Sequence, residues 1–125
     1  MKLEKKIDDF LLGYRIFSDK QDNLNIDRSF LMKYIEFVLL DSSQLRLTEL
    51  MQGDGVYMWD NSFANIIYMD GGYIDCDDSS ILIISIIEGG SIVLYDNSKA
   101  TVSDYHDGEV FVWGKSLVEI IIYFD

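Results

Sequence analysis

From residue 45 onward this chain repeats itself at an interval of 36 residues, and a repeat of that length sets architecture before local propensity does. Tyr57-Met58-Trp59-Asp60-Asn61-Ser62 returns as Val93-Leu94-Tyr95-Asp96-Asn97-Ser98. The same offset matches Gly53 to Gly89, Ala64 to Ala100, Gly72 to Gly108, Ser80 to Ser116, Ile84 to Ile120 and Ile86 to Ile122. A repeat of this kind dictates a fold and a surface before it dictates any reaction.

Within each unit the apolar residues open short runs, led by Val56, Ile66, Ile74, Leu82, Ile92, Val102, Val110 and Val118. Two residues after each leader stand Met58, Tyr68, Cys76, Ile84, Leu94, Asp104, Val112 and Ile120. Alternate residues of a strand share a face, so leader and partner should both look inward. Tyr68 and Asp104 do not fit that rule. Corner residues follow each run, as in Asp60-Asn61, Asp70-Gly71, Asp78-Ser79, Asp96-Asn97, His106-Asp107 and Gly114-Lys115. Asp, Asn and Gly tolerate the left-handed backbone of tight turns. Short strands between regular turns fit a β-solenoid or an antiparallel β-sandwich.

The string Val-x-Ala-Tyr-Asp/Gly-Asn-Ser in tandem resembles bacterial and phage repeat proteins that look like β-solenoids. Gly55-Val56-Tyr57-Met58-Trp59-Asp60-Asn61-Ser62, Ile92-Val93-Leu94-Tyr95-Asp96-Asn97-Ser98 and Val110-Phe111-Val112-Trp113-Gly114-Lys115-Ser116 carry the likeness, which covers residues 53–125. Bulkier Met, Leu or Val replaces the motif's Ala. The resemblance implies solenoid architecture and no activity.

The first 44 residues have a different texture. Ile7, Phe10, Leu11 and Tyr14 fall at helical spacing, and Phe30, Leu31, Tyr34, Ile35, Val38 and Leu39 form a second stripe behind a candidate N-cap at Asp27. The fourth run of each unit, Leu82 to Ile87 and Val118 to Phe124, is apolar at nearly every position and calls for cover on both faces. The expected fold is therefore α+β. A helical pair over residues 1–44 caps and covers a short-strand β-solenoid over residues 45–125, 36 residues to the circuit, in one compact domain. The C-terminal strand then offers an edge through which a homodimer can form.

Charge is placed unevenly. Residues 1–44 hold seven Lys or Arg against eight Asp or Glu, whereas residues 45–125 hold three against fourteen, within a net charge of −12. Such a surface repels nucleic acid and anionic membranes and steers basic protein faces toward it. The single cysteine, Cys76, leaves no internal disulfide or cysteine-based zinc site, and its neighbours Asp75, Asp77 and Asp78 work against a reactive thiolate. The N-terminus lacks the apolar run of a signal peptide, and the run from Ile81 to Ile87 is too short to span a bilayer, so a cytoplasmic location is expected.

Enzyme signatures are scarce. His106, the only histidine, sits at a turn beside Asp104 and Asp107 with no nucleophile placed by sequence. The Asp-rich corners have calcium-ligand chemistry, but the Gly-Gly-x-Gly-x-Asp nonapeptide of calcium-binding solenoids is missing, and an Asx turn is the simpler use of Asp60 and Asp96. No cofactor, metal or enzymatic role is expected. What remains is a surface of Tyr57, Trp59, Tyr95, Tyr105, Phe111 and Trp113 with Asp60, Asp75, Asp77, Asp78, Asp96, Asp107 and Glu109 around them. Aromatic anchors ringed by acidic groups suit the capture of a basic protein. The expected function is inhibitory binding of a nuclease or other nucleic-acid-binding protein, as an immunity protein or a phage-encoded antagonist would do. A structural or carbohydrate-binding solenoid is the alternative.

Overall fold

The computed structural model describes residues 2–8, 11–28 and 34–121, with 2–8 and 11–14 described by their backbone alone. Its regularity starts at four-residue turns. Ser62 N–H donates to Trp59 O (3.2 Å), Ser80 to Asp77 (3.2 Å), Ser98 to Tyr95 (3.1 Å) and Ser116 to Trp113 (3.3 Å). Ser43 closes the same turn on Leu40, and Asp22 on Asp19, both at 3.1 Å. In every one the second residue is left-handed: Lys20, Asp41, Asp60, Asp78 and Asp96 have φ between 56° and 59°, and Gly114 has 67°. Six like turns in one column mean that the chain comes back to the same place on every circuit.

Eleven strands result among the described residues: β1 (Lys2–Asp8), β2 (Leu11–Ser18), β3 (Asn23–Ile26), β4 (Tyr34–Leu39), β5 (Gln44–Leu50), β6 (Gly55–Met58), β7 (Phe63–Cys76), β8 (Ile81–Leu94), β9 (Lys99–Tyr105), β10 (Glu109–Val112) and β11 (Leu117–Ile120). All pair in parallel except β1 with β2. On one face Gly55 pairs with Tyr73, Tyr73 with Ser91 and Ser91 with Glu109. On the other, Phe63 pairs with Ile81, Ile81 with Lys99 and Lys99 with Leu117. Each step is 18 residues. Earlier coils are longer, 19 residues from Glu36 to Gly55 and 21 from Gly13 to Tyr34. The molecule is a β-solenoid of about six coils.

The circuit is thus half the 36-residue interval visible in the sequence, and that interval spans two coils. Alternate coils resemble each other because their side chains alternate in size. Ala64 and Ala100 sit either side of Leu82 in one inward column, where a large residue fits against small ones. Further inward columns include Ile16–Phe37–Val56–Ile74–Ile92, Ser18–Leu39–Met58–Cys76–Leu94 and Leu47–Ile66–Ile84–Val102, buried throughout.

Tyr68 and Asp104 are explained by a corner. Ladder pairing skips Ile67 and Ser85, and beyond them the inward residue is Leu50, Met69, Ile87 or Tyr105 rather than its predecessor. Side-chain parity changes there, turning Tyr68, Ile86 and Asp104 outward. A further corner stands at Gly53, Gly72, Gly90 and Gly108, all with φ between 89° and 124°, and at Gly72 and Gly90 the backbone of the preceding coil comes close. A Cβ on Gly90 would lie 2.8 Å from both Gly72 O and the Gly71 carbonyl carbon.

The N-terminal helical pair is not present. There is no α-helix among the described residues, the strand pairings are parallel rather than those of an antiparallel sandwich, and sheet pairing runs across residue 44 through β3, β5 and β7. Ile7, Leu11 and Tyr14 lie on the antiparallel pair β1–β2, while Phe10, Phe30 and Leu31 fall outside the described residues. In β4 it is Ile35, Phe37 and Leu39 that are buried, at period two. Short runs of β-branched and aromatic residues satisfy both periods, and tertiary pairing decides between them. The segment that Asp27 would cap, residues 29–33, lies outside the described residues; the Asp27 carboxylate accepts the Thr48 hydroxyl (3.4 Å). Nor does a helix lie over the fourth run among the described residues: Leu82, Ile84 and Ile87 face inward, and Ile83 and Ile86 are half-buried on the outer surface.

A buried ion pair helps to fasten the early coils. Arg28 grips Asp54 through Nε–Oδ2 (2.9 Å) and Nη2–Oδ1 (3.1 Å), and Asp54 also accepts the amides of Ile35 (3.1 Å) and Met51 (3.0 Å). A buried carboxylate with four donors is satisfied, and this one holds structure together.

Candidate binding face

Stacked coils convert positions 18 residues apart into neighbours about 4.8 Å apart. On the face built by β2, β4, β6, the second halves of β7 and β8, and β10, one outward column runs Phe17, Val38, Tyr57, Asp75, Val93, Phe111. The next, at the first residue of each turn, runs Leu40, Trp59, Asp77, Tyr95, Trp113. Seven of the residues singled out in the sequence therefore share one surface: Tyr57, Trp59, Asp75, Asp77, Tyr95, Phe111 and Trp113. Glu109 stands at its far margin, in the column of Glu36, Gly55, Tyr73 and Ser91.

Asp60, Asp78 and Asp96 line the rim beside this face, joined by Asp41. Their carboxylates do not cap their own turns. Each reaches to the coil before it: Asp41 accepts the Lys20 amide (2.8 Å), Asp60 that of Asp41 (2.8 Å), Asp78 that of Asp60 (2.9 Å) and Asp96 that of Asp78 (3.3 Å). The left-handed turn aims the side chain along the stack, and aspartate is long enough to reach the next amide. The ladder leaves four exposed negative charges at coil spacing.

Two predicted residues lie elsewhere. Tyr105 occupies the inward column, packs against the core and donates its hydroxyl to Gly108 O. Asp107 sits at the glycine corner, its carboxylate accepting the Gly108 amide (2.8 Å). The parity change at the preceding corner misplaces Tyr105 in any simple alternation.

The face is ridged. Tyr57 and Trp59 rise side by side, their rings 6.4 Å apart and 17° from parallel, and Tyr73 tilts against Tyr57 at 6.0 Å and 44°. Gly55 admits the Tyr57 ring: a Cβ there would sit 3.1 Å from it. On the N-terminal side of this ridge the surface drops to Val38 and Leu40, making a trough of about 590 Å³ whose opposite wall is Phe17 and whose end is Arg15 and Glu36. These two are paired, Arg15 Nε and Nη2 lying 2.9 and 2.8 Å from Glu36 Oε2. Arg15, Phe17, Glu36, Val38 and Tyr73 escape sequence reasoning because they fall outside the 36-residue match. The 18-residue recurrence of Ser62, Ser80, Ser98 and Ser116 was the signal that could have found them.

On the other side of the ridge lie Asp75 and Asp77, with Tyr95 beyond. Burial, a proton shared with Asp75 and the charges of Asp75, Asp96 and Asp78 push the Asp77 carboxyl up to about 7. Burial and the Asp75 charge raise Tyr73 as well. Asp75 Oδ1 is buried without a hydrogen-bond partner among the described residues. The cysteine between them, Cys76, faces the core, 3.7 Å from Met58 Sδ, and burial pushes its thiol up.

His106 Nε2 lies 3.1 Å from Asp104 Oδ1 on an exposed corner away from this face. Among the described residues no three His, Cys, Asp or Glu side chains are grouped to hold a metal ion, and no helix is long and apolar enough to cross a membrane. Comparison with protein-family models, with curated proteins and with solved structures found no match to this chain.

Proposed function

We propose that this chain is an inhibitory binding protein that uses its ridged aromatic and acidic face to occupy a basic, nucleic-acid-binding or nuclease partner. The observation that carries the reading is the convergence of Tyr57, Trp59, Asp75, Asp77, Tyr95, Phe111 and Trp113 on one face, with the Asp60–Asp78–Asp96 ladder along its rim. Charge density supports it. Residues 45–125 hold three basic against fourteen acidic residues, a net of −11. Spread over roughly 22 Å of solenoid axis, at about 4.8 Å per coil, this is about one charge per 2 Å. Duplex DNA carries about one per 1.7 Å. The formal density of the acidic region thus approaches that of the phosphate backbone, before the Arg28–Asp54 pair and the raised Asp77 carboxyl reduce it. Immunity toward a nuclease toxin and phage antagonism of a host nucleic-acid-binding protein both fit that chemistry.

The test is affinity capture from the native host, followed by titration of the captured protein at rising salt. The expected partner is a basic nucleic-acid-binding protein whose affinity falls about ten-fold or more between 50 and 300 mM salt, and falls again in Asp75→Asn/Asp77→Asn. A partner indifferent to both would contradict the reading. A carbohydrate-binding role is the second reading, supported by the near-parallel Tyr57 and Trp59 rings; sugar binding that disappears in Trp59→Ala would favour it. The proposal also includes a homodimer through the edge formed by β10 and β11, where Trp113 is 59% and Leu117 61% exposed. Sedimentation of the wild type against Leu117→Lys checks that point.

A further inference from the structure

The surfaces on the two sides of the Tyr57–Trp59 ridge differ in chemistry, and together they specify more about a partner than its net charge. The trough toward the N-terminus is floored by Val38 and Leu40 and walled by Phe17 on one side and the aromatic ridge on the other. Its charged groups, Arg15 and Glu36, are bound to each other, so the trough favours no sign of charge. Its volume of about 590 Å³ lies within the ordinary range for pockets that bury an organic group. Beyond the ridge the next coil places Asp75 and Asp77, half-buried and acidic, in the same two columns. The trough floor and this acidic pair lie two coils apart, about 9.6 Å at the parallel-sheet spacing.

Resting on the reading of this face as a site for a basic protein, we infer that the Val38–Leu40 trough receives one large apolar side chain of that partner as its anchor, while a Lys or Arg of the partner pairs with the Asp75 and Asp77 carboxylates. The aromatic ridge stands between the two groups. In an extended segment at about 3.3 Å per residue the spacing corresponds to a separation of about three residues. Steering charge accounts for encounter, and a desolvated apolar anchor accounts for persistence.

A random peptide library displayed on phage, selected on the immobilised whole chain at low salt, supplies the probe. The selected consensus, made synthetically with a fluorescent label, is titrated with the whole chain by fluorescence anisotropy. The expected consensus has Leu, Phe, Tyr or Trp about three positions from Lys or Arg. Leu40→Trp, which fills the trough, should weaken the peptide at least ten-fold, and Trp59→Ala, which removes a wall, should weaken it too. Asp75→Asn/Asp77→Asn should flatten the salt dependence. Thermal melting of each variant establishes that it folds. Purely basic peptides that bind Leu40→Trp as well as wild type would overturn the apolar anchor and leave the acidic-face reading standing. Peptides that ignore salt and the aspartate substitutions would overturn the reading and the anchor together, and so would a selection that enriches nothing.

Discussion

The carboxylate of Asp78 accepts the Asp60 amide (2.9 Å) and the Asp78 amide donates to the Asp96 carboxylate (3.3 Å), so each rim aspartate is a link between coils. Replacing Asp78 by Ala removes one link and leaves a residue without a stabilising side chain at φ 56°. The expected cost is about 1–2 kcal/mol, read by chemical denaturation, with Asp78→Asn retaining most of the stability because its amide oxygen still accepts. Asp77 behaves in the opposite way. Its carboxyl is raised from the ordinary 3.8 to about 7 in the folded chain. Between those values the folded state holds a proton that the unfolded state has released, so stability falls as pH rises from about 4 to about 7. Asp77→Asn should remove that slope and stabilise the chain at neutral pH by about 1 kcal/mol, a figure reduced for solvent screening. Melting temperature against pH for the two proteins checks it. At this scale the sequence was legible in part: aspartate at most of the turns signalled tight corners, but nothing local revealed that each carboxylate would serve the coil before it.

Among the elements, the corners are the most demanding. Gly90 has φ +100°, and a side chain there would press on Gly71 and Gly72 of the preceding coil. Gly90→Ala should cost at least about 2 kcal/mol. Gly114 marks the reverse case. It holds the left-handed position at φ 67° but offers no carboxylate to Asp96, whose backbone lies 3.3–3.5 Å from where its Cβ would be. Gly114→Asn should extend the ladder and raise stability by about 0.5–1 kcal/mol, measured by denaturant midpoint. The strands from residue 55 onward were readable from their alternation, and the turns from Asp, Asn and Gly. The strands before residue 45 were not. Leu39 and Ile35 satisfy a helical stripe as well as a strand, and only Phe37 between them, buried in the column of Ile16 and Val56, discloses the period of two. Gly13 inside β2 was a further sign, since glycine weakens a helix interior.

For the whole molecule, coil length decides which residues meet. With 36 residues to the circuit, Tyr57 would stack on Val93 and Trp59 on Tyr95, and Asp75 and Asp77 would lie on another face. With 18, Asp75 and Asp77 come between them and the ridged surface exists. Apolar leaders spaced by 10 and 8 residues already summed to the shorter circuit, and Ser62, Ser80, Ser98 and Ser116 marked it without interruption. The longer interval looked stronger because alternate coils match in side-chain size. Cysteine pairs on the face opposite the proposed binding surface distinguish the two directly. Asn65 and Ile83 are ladder partners one coil apart, and Asn65 and Thr101 are two coils apart. A disulfide needs Cα atoms within about 7 Å, and the pairs lie about 4.8 and 9.6 Å apart, while buried Cys76 stays out of the exchange. Under mild oxidation Asn65→Cys/Ile83→Cys should close to a disulfide in the folded chain and Asn65→Cys/Thr101→Cys should keep two free thiols; the reverse pattern would contradict the 18-residue coil and the binding face built on it.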